Sequence, residues 1–117
     1  FLDLGERRFG LVRLSPDGNR LLFSDIDGRG STIRVHDIAR NVTREIDTPG
    51  YNNHWITWSP DGSHIAFASS RDGNVDIYTM PITDSEAQRL TTARGIDTQP
   101  AWAPNGRQIA YTGYPAT

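Results

Sequence analysis

The tetrapeptide Ser15-Pro16-Asp17-Gly18 returns 44 residues later as Ser59-Pro60-Asp61-Gly62, and after another 44 as Ala103-Pro104-Asn105-Gly106. A repeat of this size means one supersecondary unit copied along the chain, each copy burying its face on the next. Sliding the sequence by 44 aligns residues 11–54 with 55–98 without a gap, so Phe23 falls on Phe67 and Ile33 on Ile77. A third copy starts at Gln99 and runs to Thr117.

Each copy has the same internal order. The proline (Pro16, Pro60, Pro104) presets φ at the first corner of a turn. Asp17, Asp61 or Asn105 is tolerated at the second corner, and Gly18, Gly62 or Gly106 takes the left-handed position that closes a hairpin. First strands are expected at 11–14, 55–58 and 100–102, and second strands at 21–23, 65–68 and 109–111. A glycine-containing loop (27–30, 71–74) then leads to third strands at 32–35 and 76–80, with more polar fourth strands at 43–46 and 87–90.

Four short strands per period predict a propeller blade. Sustained 3.6-residue periodicity is absent, so no helix longer than about two turns is expected. In the second strand Ile65 and Phe67 face one way and Ala66 and Ala68 the other. Both faces are apolar, as in a sheet held between two others. The sequence is therefore read as all-β, a partial β-propeller of four-stranded antiparallel blades, with a β-sandwich as the alternative. The 44-residue period gives about 2.7 blades: 1–10 ends a preceding blade, 11–54 and 55–98 are blades, and 99–117 is the first half of another.

The run from Trp58 to Met80, WSPDGSHIAFASSRDGNVDIYTM, followed by QRLTTARGIDTQPAWAPNG, resembles the TolB-type propeller repeat, a WD-like family. Its usual form is P-x-W-S-P-D-G, an I-A-F strand, S-x-R-D-G, D-I-Y, R-L-T and a glycine-containing loop back to the next P-x-W. The match is strong over 53–112 and weaker over 1–52, where Leu11 and Leu14 occupy the positions of Trp55 and Trp58. The resemblance implies the fold and a periplasmic or otherwise exported location; among ligands protein is expected first and carbohydrate second, because no charged cluster selects a phosphate. It leaves function open, since similar blades serve in prolyl-oligopeptidase-like peptidases, polysaccharide lyases and regulatory proteins.

Composition removes other classes. Net charge is −2, from 12 basic and 14 acidic residues scattered along the chain, so no basic stripe suits nucleic acid. With no cysteine, disulfides and thiolate metal sites are excluded. The apolar runs are only a few residues long, so no membrane insertion is expected, and the opening residues show no signal-peptide pattern.

Catalytic signatures are missing too: there is no G-x-S-x-G elbow and no Walker or Rossmann glycine pattern. The stretch Asp25-Ile26-Asp27-Gly28-Arg29-Gly30 begins like a calcium loop. Arg29 and His36 stand where acidic ligands belong, so a plain loop is expected. His36, His54 and His64 lack ligand-type spacing; lyases of related architecture hold a metal with histidines near the channel, where His54 has a plausible position, but a solvent-facing or hydrogen-bonded histidine is expected. Asn41-Val42-Thr43 is a formal glycosylation sequon. Trp55, Trp58 and Trp102 suggest a sugar platform, but Trp58 and Trp102 share one repeat position, which predicts packing between blades.

The remaining candidates are polar residues in the loops before the innermost strands: Asn52, Asn53 and His54 in one blade, and Ile96, Asp97 and Thr98 in the next. By the resemblance these loops lie at one mouth of the central channel. Asn53, His54, Asp97 and Thr98 are then the partner-binding set, while Asn53 and Asp97 suit equally a purely structural role, hydrogen-bonding the turn into the strand. The expected function is a non-catalytic protein-binding or scaffolding module, with no cofactor and no metal; the alternative is the propeller portion of a peptidase or lyase. Because propellers close with four to eight blades, the ring is expected to close by the remainder of a larger chain or by self-association, preferably as a two-copy ring.

Overall fold

The computed structural model describes residues 9–27, 30–46, 52–83 and 86–115. All regular structure there is β, in three antiparallel sheets. The first holds β1 (Phe9–Leu14), β2 (Arg20–Asp27), β3 (Gly30–Asp37) and β4 (Val42–Glu45), hydrogen-bonded in that order. The second repeats it with β5 (Asn53–Trp58), β6 (His64–Ser69), β7 (Asp76–Pro81) and β8 (Gln88–Arg89). The third pairs β9 (Gly95–Trp102) with β10 (Ile109–Pro115). The expected last strand of an earlier blade, at 1–3, lies outside the described residues. So does the centre of the calcium-like loop, at Gly28 and Arg29.

The repeated turn explains its own composition. Gly18 N donates to Ser15 O at 2.9 Å, Gly62 N to Ser59 O at 2.9 Å and Gly106 N to Ala103 O at 2.9 Å. The three glycines have φ of 78°, 74° and 73°, where a side chain is strained. The serine works twice: Ser59 Oγ donates to Asp61 Oδ1 at 2.7 Å and accepts from His64 N at 3.0 Å, as Ser15 Oγ does with Asp17 and Arg20. In the third copy Ala103 lacks the hydroxyl, and Asn105 Oδ1 accepts from Arg107 N at 2.9 Å. Asp and Asn thus both serve at this corner.

The core lies between the first two sheets. Leu22, Ile33 and Val35 from the first sheet meet Ile56, Trp58, Ile65, Phe67, Tyr78 and Met80 from the second, all buried. Register makes this possible: Ile65 pairs with Met80 and Phe67 with Tyr78, so four large side chains share one face. Ala66, Ala68 and Ile77 form the other face and are also buried, as expected for a sheet covered on both sides.

One boundary differs from expectation. The first strands start earlier than predicted, at Phe9, Asn53 and Gly95, so Asn53, His54, Asp97 and Thr98 stand inside strands rather than in loops. A bulge lets the ladder run past the point where alternation breaks. Its mark is φ of 54° at both Trp55 and Gln99, residues one repeat apart.

Candidate functional site

The first strands β1, β5 and β9 lie side by side, on the axial side of a propeller. The bulge at Trp55 resets the alternation of β5: Asn53 is buried, His54 and Trp55 are exposed, and Ile56 and Trp58 are buried. Holding Trp55 in the left-handed region costs about 1–2 kcal/mol, and the ladders on both sides of it keep it there. The result is an indole 42% exposed on the inner wall. It lines a cavity of about 150 Å³ with Arg13 of β1, Thr57 of β5, and Gln99 and Pro100 of β9.

The predicted candidates divide by environment. Asn53 is spent on the blade contact: its N donates to Ser31 Oγ at 2.8 Å, and its Nδ2 donates to Ser31 O at 2.7 Å. Arg71 Nη2 donates to Asn53 Oδ1 at 3.1 Å. The Arg71 guanidinium also lies 5.0 Å from the Phe67 ring and 4.9 Å from that of Tyr78. Asp97, one repeat on, is buried; its N donates to Val75 O at 2.9 Å, and its Oδ2 has no partner among the described residues. His54, next to Trp55 in β5, is exposed, and Thr98, next to Gln99 in β9, is half-buried.

Trp55, Arg13 and Gln99 were missed as a group. The repeat carried a signal for the first: position 55 is Leu in the copy before and Gln in the copy after, so its indole is no packing requirement of the blade. Position 58 by contrast is Trp again at 102.

The histidines sit apart. His36 is buried with Nδ1 2.7 Å from Thr43 Oγ1, His64 Nδ1 lies 2.8 Å from Ser63 Oγ, and His54 is exposed in β5. Among the described residues no three His, Cys, Asp or Glu side chains could together hold a metal. No helix among the described residues is long and apolar enough to cross a membrane. Perturbed acids belong to the framework. Hydrogen bonds from Ser63 and Ser59 bring the Asp61 carboxyl down to about 2. Burial, then the hydrogen bond to Asp72, pushes the Tyr78 phenol up to about 12. Asp76, fully buried, receives Arg89 Nη2 at 2.5 Å and Thr91 Oγ1 at 3.2 Å.

Four-stranded antiparallel sheets, stacked face to face with their first strands together, define a β-propeller. The chain belongs to the TolB beta propeller domain family, whose sequence profile matches residues 12–114. It is 45% identical over 98 residues to the Protein TolB homolog of Chlorobium chlorochromatii, covering 84% of this chain and 22% of that protein. With the Tol-Pal system protein TolB of Francisella tularensis it shares 32% over 90 residues, 77% of this chain and 18% of the other. A solved TolB-type structure from Agrobacterium tumefaciens superposes with a TM-score of 0.78 at 28% identity, over 87% of this chain and 37% of that one. The chain therefore spans about a fifth of the length of these two curated relatives.

Proposed function

We propose that this chain is a non-catalytic, protein-binding part of a TolB-type propeller in a periplasmic or other exported compartment, without cofactor. The contact surface is the inner wall around Trp55, together with His54 and Thr98 at the mouth, with the buried Asn53 and Asp97 holding those strand ends in place. The observation that carries it is the exposed indole of Trp55 on a strand whose neighbours in the repeat have no indole there. Exposed Trp beside Arg is the composition of interface hot spots. Further blades, or a second copy of the chain, complete the ring.

The relatives named for the Tol-Pal system suggest the partner, the host's own Pal protein. Calorimetric titration of the full-length protein with Pal is expected to give saturable binding, weakened about tenfold or more by Trp55→Ala. Absence of binding by the wild type contradicts the partner. Undiminished binding by Trp55→Ala contradicts the surface, and turnover of a peptide or polysaccharide contradicts the non-catalytic reading.

A further inference from the structure

The two blade contacts use the same positions with one exchange of side chain. At the first, Arg20 at the start of β2 lies over the Trp58 ring, 4.9 Å from its centre, and its Nη2 donates to Gly62 O at 3.0 Å. A Cβ built on Gly62 would meet that Nη2 at 3.0 Å, so the guanidinium closes the cleft between the two turns. One repeat later Arg20 becomes His64, Trp58 becomes Trp102 and Gly62 becomes Gly106. His64 is shorter and turned to Ser63. A Cβ on Gly106 would find nothing closer than Pro60 Cδ at 3.9 Å. The space held by Arg20 at the first contact is a cavity of about 410 Å³ at the second, lined by Asp61, His64, Trp102, Pro104 and Gly106 among others.

We propose that this cleft is a binding site for an arginine side chain of a partner polypeptide. The chain itself shows the occupant, because Arg20 fills the matching space at the first contact. What remains at the second is complementary to a guanidinium: the half-buried indole of Trp102 as a stacking face, the Gly106 carbonyl as acceptor, and the Asp61 carboxylate at the rim. A planar guanidinium stacks on an indole while keeping its N–H groups in plane for acceptors at the edge, which an ammonium cannot do. Phosphate or nucleic acid would meet a carboxylate and a carbonyl here and be repelled. The cleft opens at the end of β9, on the rim opposite Asn53 and Asp97, so it is separate from the inner-wall surface.

The test uses the natural full-length protein and the probe N-acetyl-arginine methylamide, followed by the NMR signal of the Trp102 indole N–H. A saturable shift is expected, with the neutral citrulline analogue and the lysine analogue each binding about fivefold or more weakly. His64→Arg should fill the cleft from within, cut probe binding about tenfold or more, and raise the melting temperature by about 2–4 °C. Asp61→Asn keeps the turn, as Asn105 does in the third copy, and should weaken the probe about threefold or more. Failure of the arginine probe to saturate, equal binding of citrulline, or undiminished binding in both variants overturns the proposal.

Discussion

The first and second blade contacts are built from the same repeat and closed to different degrees. At the first, Trp58 is buried, Arg20 lies over its ring, and its Nε1 donates to Arg13 O at 3.0 Å. At the second, Trp102 is half-buried, has His64 in place of the arginine, and its Nε1 finds no partner among the described residues. Asn53 bridges Ser31 and Arg71; Asp97 instead faces Val75, and the place of Arg71 is taken by Pro115. A cavity of about 420 Å³ lies between β7 and β10, bounded by Ile77, Leu90, Trp102 and Tyr111. Turns and ladders set the same architecture at both contacts, while matched positions carry different side chains: Arg20 against His64, Asn53 against Asp97 and Arg71 against Pro115.

Matched substitutions should expose this asymmetry in thermal or denaturant unfolding. The largest expected effect is at the first contact, where Phe67→Ala and Trp58→Ala each destabilise by about 3–5 kcal/mol through lost burial and a residual void. Trp102→Ala should cost about 1 kcal/mol, since its ring is only half-buried. Equal costs for Trp58 and Trp102 would break the comparison.

Next come the polar bridges. Asn53→Leu strands the Ser31 carbonyl and deprives Arg71 of an acceptor, at about 1–3 kcal/mol. Asp97→Asn is expected to be neutral or stabilising, because an amide is easier to bury than a carboxylate oxygen without a partner. Arg20→Ala should cost about 1–2 kcal/mol and His64→Ala less than about 0.5 kcal/mol.

Much of this was legible in the sequence. Pro-Asp-Gly or Pro-Asn-Gly marked each hairpin, and the apolar alternation of 65–68 predicted a sheet covered on both faces. Hidden from it were contacts that depend on distance along the chain and on backbone strain. Arg20 reaches a ring 38 positions away, and Ser31 meets Asn53 only after the blades stack. Trp55 and Gln99 carry no glycine to announce a left-handed bulge, which is why the mouth residues were expected in loops. The inner-wall site depends on that bulge, so only its polar rim was foreseen.

The smallest effects concern pH. Asp61 titrates near 2 in the fold against 3.8 for the free group. A depressed value means that its contribution is present above 3.8 and lost as pH falls toward 2, and Asp61→Asn should flatten that loss. The third turn, with Asn105, has no such dependence. Tyr78 is raised from 10.0 to about 12, so its contribution is complete below 10.0 and fades as pH climbs toward 12. Tyr78→Phe should remove the alkaline limb.

Native-state amide hydrogen exchange on the full-length protein tests the asymmetry most directly, since it reports opening strand by strand. Amides of β6 and β7, held between the sheets, are expected to exchange only through the largest opening. Those of β9 and β10 should exchange about a hundredfold faster or more, a difference of about 2.7 kcal/mol in opening free energy. Equal protection across β6, β7, β9 and β10 would show that the second contact is as tightly closed as the first, and would contradict the account.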